Sequence, residues 1–215
     1  MNAGRKRSFC KEQALDKAMR VFWENGYAGT SIAHLTSALG INKPSLYAAF
    51  GNKEQLFAAA MEHYMHEYAA QNLDRLTNPP EAPLRERLSA YLSGIIDVIC
   101  DCESPKGCMF VKSSCESGSV AIPCEVQSSL NDMGLANEVG LSRMLEAERL
   151  RGQLAQDAQV QDITAYLLSV TYGLTVLAGC GKTKEELKAV AEMAVSTLPG
   201  LAEMPGENPL DAAGG

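Results

Sequence analysis

The chain has 215 residues, of which 46% are hydrophobic and 21% are charged, and its formal net charge is −7. This composition is typical of a globular protein with an ordinary core, and no run approaches the roughly 18 uninterrupted apolar residues of a membrane span. Seven cysteines, with neither a signal-peptide pattern nor zinc-finger spacing, argue against a disulfide framework and a zinc finger, so we expect a cytoplasmic protein.

The basic residues are concentrated at the N-terminal end of the chain. Residues 1–56 carry a net charge of +4, whereas the rest of the chain carries −11. Because only a basic surface lies comfortably against phosphate, we expect any contact with nucleic acid to be made by this first quarter of the chain.

The first predicted helix runs from about Ser8 to Asn25. Its apolar residues recur at helical spacing and form one buried stripe, and Gly26 follows the helix as a residue that commonly ends one. We expect this helix to hold the two helices that follow it at a fixed angle.

A compact helix-turn-helix is predicted within residues 31–50. Thr30 or Ser31 can cap its first helix and Gly40 can end it, while Asn42 is a good cap for the second helix. Such a unit presents the N-terminal residues of its second helix to a DNA major groove.

The stretch from Phe9 to Tyr64 resembles the N-terminal domain of the tetracycline-repressor (TetR) family. The residues that match, in the family's order and spacing, are Ala14, Ala18, Phe22, Gly26, Tyr27, Thr30, Ile32, Ala38, Gly40, Leu46, Tyr47, Phe50, Lys53, Glu54 and Leu56. The resemblance implies an all-α protein in which a three-helix DNA-binding domain precedes a larger helical domain for ligand binding and dimerisation. We therefore predict a DNA-binding domain over residues 1–52, a ligand-binding and dimerisation domain over 53–199 and a disordered tail over 200–215.

Residues at the matching positions contact DNA in the family, and side-chain reach suggests their roles here. Lys43 and Ser45 are predicted to touch base edges, whereas Thr30 and Tyr47 are predicted to bond phosphate oxygens. Lys53 adds an ammonium group to the positive end of the next helix, so it is predicted to hold a phosphate. The full predicted DNA-binding set is Thr30, Ser31, Lys43, Pro44, Ser45, Tyr47 and Lys53.

Helical periodicity continues through the rest of the chain. A long helix capped by Asn52 is predicted over residues 53–76, and further helices are predicted over 84–100, 108–116, 124–151, 160–178 and 184–198. The segment 160–178 is apolar nearly all the way round, so it has to be covered from two sides. We therefore predict a homodimer in which segments 160–178 and 184–198 pack against their copies, which is the family's usual arrangement.

The resemblance also implies a small-molecule effector, bound among the helices of the C-terminal domain. Flexible and aromatic side chains in these helices suit an apolar compound, although methionines at helical spacing are also ordinary core residues. The candidate ligand-binding residues are Tyr91, Ile95, Met109, Phe110, Met133, Met144 and Tyr172.

Five cysteines lie within 25 positions, at Cys100, Cys102, Cys108, Cys115 and Cys124. They are open to three interpretations: small apolar core residues, a sensor of oxidants or electrophiles in which one thiolate reacts, or a soft-metal site. The spacings match no compact ligand pattern, which disfavours the metal. Cys102 and Cys108 flank a loop and form the candidate redox pair.

The most consistent prediction is a homodimeric transcriptional repressor that a small-molecule inducer releases from a pseudo-palindromic DNA operator. Two alternatives stay open: a cysteine-based sensor of the same fold, and a helical interaction module that does not bind DNA. No Ser/His/Asp order, glycine-rich cofactor loop or His-Glu-x-x-His motif occurs, so we predict no catalytic residues, cofactor, metal site or enzymatic activity.

Overall fold

A computed structural model describes residues 11–201 of the chain. These residues form ten α-helices and one π-helical turn, in the order α1 (Lys11–Gly29), α2 (Ile32–Leu39), α3 (Lys43–Phe50), α4 (Lys53–Tyr64), the π-helical turn (Met65–Ala69), α5 (Ala70–Thr77), α6 (Leu84–Ile99), α7 (Met109–Glu116), α8 (Cys124–Leu150), α9 (Val160–Gly179) and α10 (Lys184–Ser196). Within this range the β-structure is limited to a single antiparallel bridge between Leu154 and Leu201. The predicted all-α fold is confirmed.

The chain divides into two compact units. One contains the residues up to Ala70 together with Asp101–Met133, and the other contains Gln71–Cys100 together with the residues from Gly134 onward. The functional boundary predicted between residues 52 and 53 does not coincide with the boundaries of these two units, and it remains a prediction.

Aromatic side chains form the core of the first unit. Phe22 and Trp23 of α1 are fully buried, as the predicted apolar stripe requires. Phe22 meets Phe57 edge-on with ring centroids 5.2 Å apart, and Trp23 meets Tyr64 in the same way at 4.8 Å. Each large side chain buried in this way contributes roughly 1.5–3 kcal/mol, so these rings bind α1 firmly to α4.

The first helix has a break where the sequence predicted its end. Gly26 adopts φ 70° and ψ 176°, and helical structure then resumes as far as Gly29. Glycine is favoured at position 26 because L-residues rarely adopt this φ, and a β-carbon there would also require the flexible carboxylate of Glu116 to move. Residues 8–10 of the predicted helix lie outside the described residues.

A buried ion pair lies in the second unit. Arg87 of α6 and Glu148 of α8 have side chains 2% and 3% exposed, and Arg87 Nη2 donates to Glu148 Oε2 at 2.6 Å. Arg87 also donates to the carbonyls of Leu76 and Ala82, both at 3.0 Å. These bonds satisfy a buried guanidinium, which would be very costly to leave without partners.

Helix α9 is apolar, but much of its surface is not buried within one protomer. It is long and apolar enough to cross a membrane by length and composition alone, yet only 33% of its most apolar window is buried within the protomer. Buried Leu167 and Leu174 face the core of the second unit, whereas Tyr166 and Val176 are exposed. The predicted need for a second covering surface therefore remains unmet inside one protomer.

Two residues beyond α10 pair with the segment that follows α8. Gly200 accepts a hydrogen bond from the Ala155 N–H at 2.8 Å, and Leu201 pairs with Leu154. The rest of the predicted tail, residues 202–215, lies outside the described residues.

Candidate nucleic-acid interface

Polar side chains cap the starts of α2 and α3. The Ser31 hydroxyl accepts from the His34 N–H at 3.1 Å, and the Asn42 side chain accepts from the Ser45 N–H at 2.9 Å. Gly40 takes the left-handed conformation with φ 68° that ends α2. Because Gly40 ends α2 and Asn42 caps α3, the short loop between the two helices is fixed by local hydrogen bonds.

Helix α3 is anchored on one face and exposed on the other. Leu46 is fully buried and Phe50 is 9% exposed, so both belong to the core of the first unit. The other residues from position 43 to position 48 are all exposed: Lys43, Pro44, Ser45, Tyr47 and Ala48. An exposed N-terminal turn on a rigidly packed helix is the geometry that enters a major groove.

Lys43 and Tyr47 lie one helical turn apart and interact with each other. The ammonium nitrogen of Lys43 lies 5.7 Å from the centre of the Tyr47 ring, and the Tyr47 side chain is 40% exposed. A cation over an aromatic face is held by the ring's negative face, which reduces the freedom of the lysine before any partner arrives. Four donors and acceptors of the predicted set, on Ser31, Lys43, Ser45 and Tyr47, therefore face solvent in the described structure.

Thr30 is placed differently from its prediction. The residue is 1% exposed, its hydroxyl donates to the Gly26 carbonyl at 2.7 Å, and its N–H donates to the Tyr27 carbonyl at 3.3 Å. Both donors are used inside the protein, where they close the last turn of α1. This geometry argues against the predicted phosphate contact and gives Thr30 a structural role.

Lys53 starts α4, as predicted, but its ammonium group points back to α1. Its Nζ donates to the Tyr27 carbonyl at 2.7 Å and lies 4.0 Å from the centre of the Tyr27 ring. The Tyr27 hydroxyl in turn donates to Glu54 Oε1 at 2.7 Å. Burial is the main cause that lowers the pKa of Lys53, and burial together with the Glu54 bond raises the pKa of Tyr27. Lys53 thus links the end of α1 to the first turn of α4.

The predicted redox pair occupies two different environments. Cys102 is exposed, whereas the Cys108 sulfur accepts a hydrogen bond from the Tyr64 hydroxyl at 3.2 Å. Burial raises the pKa of the Cys108 thiol and thereby disfavours its reactive thiolate. Among residues 11–201, no three His, Cys, Asp or Glu side chains are arranged to hold a metal ion.

The segment that carries these two cysteines is hydrogen-bonded to α1. Trp23 Nε1 donates to the Gly107 carbonyl at 2.9 Å, and Arg20 Nη1 donates to the Glu103 carbonyl at 3.1 Å. Lys112 of α7 completes the attachment by donating to the Trp23 carbonyl at 2.7 Å. A change of conformation in this segment would therefore be transmitted to α1 through these hydrogen bonds. Helical periodicity in the sequence did not predict this connection.

The candidate ligand-binding residues are divided between the two compact units. Met109, Phe110 and Met133 belong to the first unit, and the other four belong to the second. Tyr91, Met109 and Phe110 are buried, while Ile95, Met133, Met144 and Tyr172 are half-buried. A groove of about 480 Å³ at the start of α9 is lined by other residues, including Gln159, Asp162 and Tyr166. The ligand-binding set therefore remains a prediction.

Comparisons with known proteins identify relatives over most of the length of the chain. The model of the family described as "Bacterial regulatory proteins, tetR family" matches residues 14–60. The transcriptional repressor ComR of Escherichia coli K12 is 30% identical over 202 residues, which cover 92% of this chain and 93% of ComR.

Solved structures agree with this result. A cysteine mutant of the TetR-family transcriptional regulator CifR, complexed with 26-bp double-strand operator DNA, is 33% identical, with a TM-score of 0.81 over 91% of this chain and 100% of that chain. The reduced form of Escherichia coli NemR has a TM-score of 0.75 at 20% identity, over 90% of this chain and 98% of that chain, and shares the fold.

Proposed function

This chain belongs to the TetR family of bacterial regulatory proteins, and we propose that it is a homodimeric transcriptional repressor released from a pseudo-palindromic operator by a small molecule. The observation that carries the proposal is the exposed face of α3, with Lys43, Ser45 and Tyr47 in solvent above buried Leu46 and Phe50. This face lies in the part of the chain that has a net charge of +4. ComR, which matches nearly the whole chain, is a repressor by name.

Each protomer contributes one recognition helix. In the proposed complex Lys43 and Ser45 touch base edges, while Tyr47 and Ser31 bond phosphate oxygens. Two-fold symmetry places the two α3 helices about one DNA turn apart, roughly 34 Å, in successive major grooves. A pseudo-palindromic operator follows from this symmetry.

We assign the dimer interface to α9 and α10. Their exposed apolar side chains include Val176, which is 51% exposed, and Met193, which is 68% exposed. The same two helices also expose Tyr166, at 37%, and Val190, at 42%. Burial of this apolar surface against a second copy would stabilise the dimer by about 25 cal/mol per Å² removed from water.

The effector is proposed to bind among the helices of residues 53–199 and to favour a dimer whose two recognition helices no longer fit one duplex. An inducer can shift this equilibrium only by its preference for the DNA-free state. By linkage, operator DNA weakens inducer binding by the same factor as inducer weakens DNA binding. The proposed site of action is the cytoplasm, where both partners are accessible.

Binding of the full-length protein to the DNA upstream of its own gene tests the proposal. Fluorescence anisotropy at several salt concentrations should give a sequence-specific complex whose log K falls linearly with log salt, by about 0.9 for each phosphate neutralised. A random duplex of equal length is the control. Failure to form a salt-dependent specific complex would favour a helical interaction module instead.

The cysteines support a second candidate, a repressor that senses electrophiles. Cys102 is exposed, and the segment that carries Cys102 and Cys108 is hydrogen-bonded to Arg20 and Trp23 of α1. Alkylation of either thiol would add volume beside the helix that supports the DNA-reading pair. The structures of CifR as a cysteine mutant and of NemR in a reduced form direct attention to the same chemistry.

Alkylation tests the second candidate. N-ethylmaleimide should release operator DNA from the wild-type protein and leave a Cys102→Ser/Cys108→Ser variant bound. Because burial raises the pKa of Cys108, the exposed thiol of Cys102 is expected to react first, which peptide mapping by mass spectrometry would reveal. Equal release of both proteins would eliminate this pair as the sensor.

A further inference from the structure

Buried polar atoms without hydrogen-bond partners are concentrated on one helix. Within residues 11–201, the buried side-chain nitrogen and oxygen atoms that lack a partner are Ser113 Oγ, Ser114 Oγ and Glu116 Oε2, all on α7. About nine in ten buried polar groups in folded proteins have a partner, so this cluster needs a physical explanation. Proteins retain such exceptions chiefly at functional sites, because an unpaired buried hydroxyl is unfavourable for stability.

The carboxylate of Glu116 has interactions that account for its position. It lies against Gly26 at the kink of α1, and the residue as a whole is half-buried. Burial lowers the pKa of Lys53, while the negative charges of Glu54 and Glu116 oppose that shift, so the Lys53 ammonium group balances part of the Glu116 charge. The two serine hydroxyls have no partner within the described residues, and Ser113 is only 2% exposed.

The two serine hydroxyls also make no bond to their own helix. Hydroxyls within α9 behave differently, since Thr164 and Thr171 each donate to the carbonyl four residues back, at 2.8 and 2.9 Å. At the end of α7 itself, the Ser117 hydroxyl donates to the Ser114 carbonyl at 2.7 Å. Because Ser113 and Ser114 do not use this local option, both hydroxyls are available to an external partner.

An aromatic side chain lies next to both hydroxyls on the helix surface. Phe110 is three residues before Ser113 and four before Ser114, and residues at these two spacings are neighbours on a helix. Helical side chains lean towards the preceding turn, which brings both hydroxyls towards Phe110. The three side chains therefore form one patch, in which an apolar ring, 6% exposed, has a hydrogen-bonding group on each side.

The chemistry of this patch selects an uncharged ligand. A buried ion needs an opposite charge, but the two charged residues of α7 are engaged with the protein: Lys112 donates to the Trp23 carbonyl at 2.7 Å, and Glu116 lies against Gly26. A serine hydroxyl can donate to an oxygen acceptor, and a carbonyl oxygen has two lone pairs, so it can accept from two serines. The patch therefore suits a carbonyl oxygen on an apolar body.

We propose that Ser113 and Ser114 bind the effector through a carbonyl oxygen, with Phe110 packed against its apolar body. This inference rests on the proposed function, because it names the chemical class of the effector and the residues that recognise it. Phe110 belongs to the ligand-binding set predicted from the sequence, whereas the two serines are new to that set. Lys112 bonds the Trp23 carbonyl from the same helix, so a ligand that moves α7 would act on α1.

The stability of the ligand-free protein gives the first test. Ser113→Ala removes a buried hydroxyl that has no partner, so the melting temperature should rise by about 2–4 °C more than in the control Ser89→Ala. Ser89 is exposed within α6, and its replacement measures the gain in helix propensity alone. Ser117→Ala, which removes a hydroxyl that has a partner, should not share the gain. A Ser113→Ala protein no more stable than Ser89→Ala would overturn the proposal.

A matched pair of probes tests the ligand class. Acetophenone and α-methylstyrene have the same shape, but the second has a CH₂ group in place of the carbonyl oxygen. Isothermal titration calorimetry of the full-length protein without DNA gives the ratio of the two affinities. This ratio should fall about tenfold in Ser113→Ala/Ser114→Ala, because the ketone loses two hydrogen bonds and the hydrocarbon loses none. Ser117→Ala should leave the ratio unchanged.

The outcomes separate this inference from the function on which it rests. Absence of acetophenone binding at millimolar concentration, or equal losses for both probes in the double variant, would overturn the assigned ligand class. Operator binding is measured separately, by anisotropy of the same proteins without a probe. Specific operator binding without a serine-dependent ketone preference would overturn this inference alone. A protein that binds the ketone through the serines but recognises no operator would contradict the proposed function, and with it the role of the ketone as an effector.

Discussion

Helices α3 and α9 both expose side chains that their own core does not need, but the exposed groups differ. On α3 the buried residues are Leu46 and Phe50, and the exposed ones include Lys43 and Ser45. On α9 the buried residues include Leu167 and Leu174, and the exposed ones include Tyr166 and Val176. The first helix presents charge and hydroxyl groups to solvent, whereas the second presents apolar surface.

This difference indicates how permanently each surface is covered. Polar groups on α3 remain hydrogen-bonded to water while the DNA is absent, so a reversible and salt-dependent partner suits them. Apolar groups on α9 have no such alternative, and their exposure favours a partner that stays bound. One surface is suited to a regulated contact and the other to a constitutive one.

The largest expected effect comes from placing a charge on the α9 surface. In Val176→Glu, dimerisation would bury a carboxylate without a partner, at a cost of roughly 3–5 kcal/mol. We expect a folded monomer that no longer holds the operator, as judged by analytical ultracentrifugation and anisotropy. Far-UV circular dichroism should remain that of the wild type.

Leu174→Glu provides the matched contrast two residues away. Leu174 is 1% exposed inside the protomer, so the same charge there should unfold the second unit rather than separate two copies. Val176→Ala controls for loss of side-chain volume and should remain dimeric. A normal wild-type dimer in Val176→Glu would place the interface elsewhere.

On α3 the corresponding change removes one charge. Lys43→Ala should lower the discrimination between operator and random DNA by roughly 1–3 kcal/mol if the lysine reads a base edge. The dimer should remain intact, because the two surfaces lie on different helices. Competition binding with specific and random duplexes measures the effect.

Arg143→Ala is the charge-matched control for Lys43→Ala. Arg143 is exposed on α8, so its removal changes the net charge equally without touching α3, α9 or α10. Equal loss of affinity for both duplexes in Lys43→Ala would assign the lysine to phosphate alone.

Local signals explain why so much of the fold could be predicted from the sequence. The capping box of Asn52 and Gln55 begins α4 where the pattern requires it, and Asn42 caps α3 in the same way. These bonds join residues three apart, so the sequence contains all the information needed to anticipate them. The exposed residues of α3 follow from the same helical periodicity.

Features that helical periodicity and capping patterns do not encode were missed. Thr30 suits an N-cap by type, yet its hydroxyl is used by the Gly26 carbonyl once α1 is kinked. The buried pair of Arg87 and Glu148 joins residues 61 positions apart, and no local pattern announces it. The π-helical turn at Met65–Ala69 likewise has no proline or glycine to signal it. The pair of Arg87 and Glu148 is decided by tertiary packing, so a linear pattern cannot predict it.

Substitution of Lys53 is expected to have the smallest effect on operator binding. It distinguishes a residue on the DNA-binding surface from one that supports this surface from inside the protein. Its ammonium group donates to the Tyr27 carbonyl at 2.7 Å, so we expect Lys53→Gln to loosen α1 and weaken operator binding by about 1 kcal/mol. If Lys53 only positions α1, the salt dependence of binding should equal that of the wild type, and Arg143→Gln, at an exposed position of α8, should alter neither the affinity nor its salt dependence. A direct phosphate contact would instead reduce the slope of log K against log salt by about 0.9. That result would return Lys53 to the DNA-binding set predicted from the sequence, because a support inside the protein releases no counterion from the duplex.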